Sequence, residues 1–290
     1  MQHVLVTDLT PVSPHVRPNS FALLSGSDET DTAAVFVHGF GGHPDKTWSR
    51  MQEMLHDDPA WERTDAYFLG YWSTKHELSK SAAYIGHFIQ ELCKSQPHQL
   101  LSATAPGGTD AILRTGTARY KSLDLVGHSA GGAVLRLLLL EMSRRREAGI
   151  AQPDLLFEAH LRLFAPAISG ARFSHLKGRL TRTLGLRELI DIYTGGSPSF
   201  QELQHGSVLL DAMREDTTFF AQSYPHSTAF RATIAWAEMD DVVTSLPFRH
   251  DVGWMLRTTT HQSVCKASPS FPVPFTFVKS GTLEGVEDAL

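Results

Sequence analysis

The stretch from Leu123 to Met142, LDLVGHSAGGAVLRLLLLEM, joins two apolar segments through a short glycine-rich turn. Its first part has the pattern of a buried strand, and its last part has the pattern of a buried helix. Between them, Gly127 to Gly131 match G-x-S-x-G, which in a strand-turn-helix setting is typical of a nucleophile elbow. We therefore predict that Ser129 lies on a tight, strained turn that holds its hydroxyl above the sheet edge.

Strand patterns and helix patterns alternate on both sides of this turn, which predicts an α/β fold with a mostly parallel central sheet flanked by helices. We expect strands in HVLVTDL, SFALLSG, Ala33–Val37, Ala66–Ser73, AHLRLFAPAISG and FRATIAWAEMDDVV. The stretch FPVPFTFVKS, residues 271–280, is expected to be an edge strand or a packed tail.

The chain length of 290 residues fits a single α/β domain covering 1–290. Residues 171–229 carry helical periodicity without a clear strand, so we predict that they form a helical lid inserted in the domain. Leu176, Leu180 and Leu184 are interleaved there with basic side chains. This pattern fits contact with a membrane surface or closure over an acyl chain, but a solvated helix that packs its leucines on the core is the preferred interpretation.

Composition narrows the class of protein. The formal net charge of −5 gives no electrostatic reason to expect a nucleic acid partner. Two cysteines, Cys93 and Cys265, cannot supply a disulfide framework, which suits a reducing compartment. The sequence contains no apolar run of transmembrane length and no signal-peptide pattern at its start. We therefore expect a cytoplasmic protein.

A serine hydroxyl needs a base that takes its proton, and histidine is the usual base. In chains with a nucleophile elbow, the acid and then the histidine follow the serine along the chain. This order favours His261, the last histidine, over His226 and His250. For the acid we expect Asp240, directly after an apolar strand, with its neighbour Asp241 as the alternative.

Two backbone amides are expected to form an oxyanion hole. The N–H of Ala130 begins the helix after Ser129, and the N–H of Phe40 belongs to the glycine-rich loop after the strand Ala33–Val37. We expect His38 to brace this loop rather than to act in catalysis.

Other chemistries lack their motifs. The segment GFGGHPDKT has Asp45 where a phosphate-binding loop requires a glycine before the lysine, and Phe40 where it requires the earlier glycine. The sequence has neither an H-E-x-x-H motif nor paired C-x-x-C motifs, so we predict no metal ion and no cofactor.

These motifs resemble those of the α/β-hydrolase superfamily and, within it, the lipase-like serine esterases, including serine-active-site-containing proteins and relatives of GPI inositol-deacylases. The matching stretches are VFVHGFGGHPDKTW, LDLVGHSAGGAV, FAPAISGARFSHLKGRL, SPSFQELQHGS, AEMDDVV and HQSVCK. The resemblance implies a Ser129, His261 and Asp240 triad with Phe40 and Ala130 as oxyanion donors. Ala237 stands where the acid turn of such proteins commonly opens with glycine, which weakens the Asp240 assignment.

The expected function is hydrolysis of carboxylic esters of lipid or other apolar acyl compounds. Two alternatives stay open at this point. The same triad could serve an acyltransferase, a thioesterase or an amidase, and a hydrolase fold without activity could bind a small molecule or a partner protein.

Overall fold

A computed structural model describes residues 3–94, 119–171 and 196–285. These residues form one eight-stranded sheet in the order β1-β2-β4-β3-β5-β6-β7-β8. The strands are β1 (Val4–Val6), β2 (Phe21–Leu24), β3 (Thr32–Val37), β4 (Thr64–Leu69), β5 (Ser122–His128), β6 (His160–Phe164), β7 (Thr233–Met239) and β8 (Val252–Thr260).

Two antiparallel strands begin the sheet and six parallel strands complete it. β1 pairs with β2 and β2 with β4 in antiparallel fashion, whereas every pair from β4 through β8 is parallel. The carboxyl ends of parallel strands meet at one edge, so the loops after β3, β5, β7 and β8 open on the same side. The predicted site residues belong to these loops and so lie at this edge of the sheet. The prediction of a mostly parallel sheet is confirmed.

Six helices accompany the sheet in the described part of the chain. They are α1 (Met51–Asp57), α2 (Leu78–Lys94), α3 (Ala130–Glu147), α4 (Pro198–Glu202), α5 (Val208–Ser223) and α6 (Val273–Ser280). Helix α3 is buried almost throughout its first 14 residues, because it packs against β5 and β3 and between α2 and α5. Its continuous apolar run, which a surface helix would not tolerate, is explained by this position.

The prediction of an edge strand at residues 271–280 was wrong, because this stretch forms α6. Pro272 and Pro274 lie at the helix start, where a missing N–H costs no intrahelical hydrogen bond. Gly281 ends the helix with φ 70°, and buried Phe277 packs on Phe164 of β6. The alternative of a packed tail is thus the observed one.

The sheet ends on one side in β8, a strand that the sequence analysis missed. It pairs only with β7 among the described residues, and most of its side chains are exposed, so its sequence lacks a buried pattern. At its amino end, Asp251 forms an ion pair of 2.8 Å with Arg136 of α3, and both side chains are fully buried. Asp251 also accepts the amides of Ala232 and Phe248, so this carboxylate is held by three donors.

Of the predicted lid at 171–229, residues 172–195 lie outside the described residues, including Leu176, Leu180 and Leu184. Residues 196–229 contain α4 and α5, in line with the expected helical character. Helix α5 buries Leu210, Met213 and Phe220 and packs on α3, while Val208 and Phe219 are exposed.

Candidate active site

The turn after β5 holds Ser129 in a strained backbone conformation. Its φ of 53° and ψ of −122° place a non-glycine residue in a region that L-amino acids rarely occupy. The turn also passes close to β3: a Cβ atom added to Gly131 would lie 2.2 Å from the carbonyl oxygen of Val37. Glycine is therefore required at position 131, because any side chain there would collide with the neighbouring strand β3.

Three side chains from three loops form a continuous hydrogen-bonded chain. The Oγ atom of Ser129 lies 2.9 Å from Nε2 of His261, and Nδ1 of His261 lies 2.9 Å from a carboxylate oxygen of Asp240. Because a carboxylate only accepts, Nδ1 carries the proton and Nε2 presents a lone pair to the serine hydroxyl. This is the tautomer that a base for Ser129 requires.

Both carboxylate oxygens of Asp240 take part in hydrogen bonds. One of its carboxylate oxygens contacts His261, and the other accepts the amides of Val242 (2.8 Å) and Val243 (3.0 Å). Burial alone would raise the pKa of Asp240, but the hydrogen bond and charge of His261 and these two amides together hold its pKa below the ordinary value. The side chain is 1% exposed and stays ionised beside the imidazole.

The structure thus brings together the predicted Ser129, His261 and Asp240. Of the two aspartates in this turn, Asp240 makes the hydrogen bond to Nδ1. The weaker candidates His226 and His250 precede β7 and β8, so they lie at the amino edge of the parallel strands, opposite Ser129.

The loop after β3 lies against Ser129. A Cβ atom on Gly39 would be 2.8 Å from the Cβ of Ser129, so only glycine allows this approach. Tyr71 donates its hydroxyl proton to the carbonyl of His38 (2.9 Å), and the amide of Gly41 donates to Oγ of Ser73 (3.0 Å). The segment that carries Phe40 is therefore fixed on both sides.

His38 braces this loop from inside, in agreement with the expectation from sequence. Its side chain is fully buried, and Nδ1–H donates to the carbonyl of Gly39 at 2.8 Å. Burial lowers the pKa of His38 to about 4, so the ring is neutral at physiological pH. Nε2 has no hydrogen-bond partner within the described part of the chain.

Comparisons with known proteins identify the fold. No family model matches the chain, and no curated protein matches its sequence. The mature form of the lipase BlEst2 from Bacillus licheniformis is 16% identical, over 89% of this chain and 97% of that one, with a TM-score of 0.51. A tributyrin-phosphonate-inhibited esterase B from Lactobacillus rhamnosis is 13% identical, over 99% of this chain and 89% of that one, with a TM-score of 0.50. The chain has the α/β-hydrolase fold.

Within the α/β-hydrolase fold, the positions of Ser129, Asp240 and His261 follow from strand order. Ser129 follows the central strand β5, whereas Asp240 and His261 follow β7 and β8 at one side of the sheet. The oxyanion donors expected from sequence, the amides of Phe40 and Ala130, belong to the two segments that flank Ser129. At the level of the fold, the resemblance seen in the motifs is confirmed.

One site residue was missed by sequence reasoning. His128 is the variable residue before Ser129 in the G-x-S-x-G pattern, and such a position gives no signal of its own. In the folded chain its Nε2 lies 2.8 Å from the carbonyl oxygen of His261, and the two rings have centroids 5.0 Å apart. Burial lowers the pKa of His128 to about 3.

The described residues contain neither the arrangement of a metal site nor a membrane-spanning helix. Across residues 3–94, 119–171 and 196–285, no cluster of three or more His, Cys, Asp or Glu side chains has the arrangement of a metal site. In the same ranges, every helix is too short or too polar to cross a bilayer.

Proposed function

We propose that this α/β-hydrolase is a serine esterase that cleaves carboxylic esters of lipid or other apolar acyl compounds. The observation that carries the proposal is the hydrogen-bonded chain from Ser129 through His261 to Asp240, which begins at a strained serine. A buried serine without a catalytic role has no need of positive φ or of an imidazole with the base tautomer. The lipase and esterase names of the two solved structures fit the same class.

The reaction starts at Ser129. Its Oγ attacks the ester carbonyl carbon while Nε2 of His261 takes the hydroxyl proton, and the carbonyl π-electrons move to the oxygen. The amides of Phe40 and Ala130 hydrogen-bond to this oxyanion, and one such donor commonly contributes about 3 kcal/mol. When the tetrahedral intermediate collapses, the C–O bond to the alcohol breaks and the alcohol oxygen receives the proton from His261.

Water completes the cycle. His261 accepts a proton from a water molecule, whose oxygen attacks the acyl-enzyme carbonyl, and the acid leaves as Ser129 regains its proton. Asp240 stays ionised and stabilises the imidazolium in both half-reactions. No cofactor or metal ion takes part in this scheme.

An apolar acyl group is proposed because aromatic side chains border the oxyanion loop. The rings of Phe40 and Phe200 have centroids 6.3 Å apart, and α4 brings Phe200 to this position. Helix α4 is anchored by Ser199, whose hydroxyl donates to the carbonyl of Ser73 at 2.6 Å.

The proposal also includes a single domain with a lid at 171–229 and contact of this lid with a membrane surface. It includes a cytoplasmic location as well.

A fluorophosphonate probe tests the proposal directly. We expect one covalent adduct, located on Ser129 by mass spectrometry, that disappears in Ser129→Ala. Ser143→Ala is the matched control, since Ser143 is a buried serine of α3 whose hydroxyl donates to the carbonyl of Leu139. This variant should be labelled like the native protein.

The same preparations should hydrolyse a series of p-nitrophenyl esters graded in acyl length. Turnover that Ser129→Ala abolishes supports the esterase, and competing alcohols, thiols and amines in the assay reveal an acyltransferase by its products. A folded native protein that is neither labelled nor active, with or without detergent micelles, would rule out the esterase and leave the binding function.

A further inference from the structure

His128 links the central turn to the edge of the sheet. It ends β5, directly before Ser129, and its Nε2–H donates to the main-chain carbonyl of His261, 133 residues away. A carbonyl oxygen only accepts, so the proton of the neutral ring lies on Nε2. The hydrogen bond is buried, because the exposed fractions of the two residues are 8% and 4%.

The same ring borders the oxyanion loop. A Cβ atom on Gly39 would lie 3.2 Å from Nδ1 of His128, and also 3.2 Å from its carbonyl oxygen. The imidazole of His128 is therefore enclosed by the loop that precedes Phe40 on one side and by the turn of His261 on the other. A smaller side chain would leave both segments without this contact.

The turn of His261 needs such an anchor. It follows the edge strand β8, and β7 and β8 lose register between Ala237 and Met239, close to where both strands end. Thr258 in β8 has φ 56°, which departs from regular strand geometry. The strand is tied to the β5-α3 unit at its amino end by Arg136 and Asp251, and the bond from His128 is the corresponding tie at its carboxyl end.

The ring is suited to this position only when it is neutral. His261 becomes a cation each time it takes the proton of Ser129, and a second cation with its centroid 5.0 Å away would oppose that step. Burial, with a smaller contribution from His261, lowers the pKa of His128 to about 3, so it adds no charge at working pH.

We propose that His128 is a positioning residue: by donating to the His261 carbonyl it sets the distance between the imidazole and Ser129, and by packing on Gly39 it supports the oxyanion loop. The proposal rests on the proposed function for its effect on rate. The hydrogen bond itself can be tested without turnover.

The test compares three variants. His128→Gln keeps an amide donor at the reach of Nε2, His128→Asn is one methylene too short to reach, and His128→Leu has no donor. His3→Leu is the matched control, since His3 is also a buried histidine whose Nε2 donates to a carbonyl, that of Thr64 at 3.0 Å. Thr64 begins β4 and lies at the opposite sheet edge from Ser129.

For His128→Leu and His128→Asn we expect kcat and the fluorophosphonate labelling rate to fall about tenfold with KM unchanged. His128→Gln should recover to within about threefold of the native protein, and His3→Leu should lower the melting temperature while kcat stays unchanged. Native kcat in a folded His128→Leu or His128→Asn would overturn the proposal, as would equal losses in His128→Gln and His128→Asn. If His128→Leu does not fold, the Gln and Asn pair decides.

A second measurement separates this proposal from the function. The downfield Nδ1–H proton resonance of His261 should exchange faster with solvent in His128→Asn than in His128→Gln. If the native protein proves inactive and this difference is observed, the proposed function fails and the structural tie stands. If the native protein is active and the two resonances exchange alike, the positioning proposal fails alone.

Discussion

The turn after the central strand β5 and the turn after the edge strand β8 supply the two reacting groups in different ways. Ser129 is positioned through its main chain, because the turn that carries it packs closely against the carbonyl oxygens of Val37 and His38. Its N–H donates to the carbonyl of Phe164 at 3.0 Å, and its own carbonyl accepts the N–H of Ala167 at 3.1 Å. His261 is positioned by distant partners, Asp240 on one side and His128 on the other. The serine is therefore fixed by main-chain packing and main-chain hydrogen bonds, whereas the base depends on hydrogen bonds from the side chains of other segments.

The largest effect should come from removing a side chain that positions His261. Asp240→Asn removes the carboxylate that holds Nδ1 protonated, so we expect kcat to fall by about 10⁴-fold with little change in fold. Steady-state kinetics of Asp240→Asn beside Asp241→Asn measure it. A greater loss in Asp241→Asn would move the acid to the neighbouring residue.

The main-chain packing around Ser129 is tested by Gly131→Ala. Its Cβ would lie 2.2 Å from the carbonyl oxygen of Val37 and 2.5 Å from that of His38, so β3 or α3 must shift. We expect a loss of about 3 kcal/mol in the free energy of unfolding, measured by urea denaturation. Gly86→Ala in α2 is the control, since its Cβ meets Leu138 at an ordinary 3.4 Å, and we expect a gain of up to about 1 kcal/mol. Equal stability of both variants would contradict this packing constraint.

Buried His38 makes the free energy of unfolding depend on pH. The native pKa of His38 is lowered from 6.5 to about 4, so the unfolded chain binds the proton more tightly than the native protein does. This neutral site is favourable above pH 6.5, and its contribution is lost progressively as pH falls from 6.5 to 4.

For His38 alone, the loss between pH 7 and pH 5 is about 2 kcal/mol. The non-titrating variant His38→Gln should therefore lose less unfolding free energy over this range than the native protein. Urea denaturation at both pH values measures the difference, with the exposed His87→Gln as a control. The same slope in His38→Gln and in the native protein would contradict a neutral His38.

The smallest expected change in the free energy of unfolding comes from relieving backbone strain in the edge strand β8. Thr258 has φ 56° in β8, so Thr258→Gly should raise the free energy of unfolding by about 1 kcal/mol while activity persists. Ser129→Gly relieves similar strain in the central turn and should also stabilise the protein, but without activity. A destabilised Thr258→Gly would show that the side chain, rather than the backbone angle, matters there.

This difference also explains what could be read from the sequence. The elbow of Ser129 was predictable because its glycines, strand and helix are contiguous, and chain order was enough to select His261 and Asp240. The edge strand β8 was missed because one face and one edge are solvated, so its side chains show no buried periodicity. Helix α6 was mistaken for an edge strand because its prolines, which end a helix in its interior, are tolerated in its first turn.

His128 could not be found from sequence for a related reason. Its partner is a main-chain carbonyl, which every residue possesses, and the two are 133 residues apart. Only the folded sheet shows that the ring of His128 reaches the turn of His261. Side chains that act on the backbone of a distant segment are invisible to motif analysis.

The separation of 132 positions between Ser129 and His261 has a consequence for synthesis of the protein. A ribosome-bound chain that has just completed β5 and α3 contains Ser129, but it has neither the base nor the carbonyl of Phe164 that accepts the Ser129 amide. The hydroxyl acquires its base only after β7 and β8 have emerged and paired, which makes reactivity one of the last properties that the nascent chain gains. An activity-based probe added during translation would therefore report completion of the sheet.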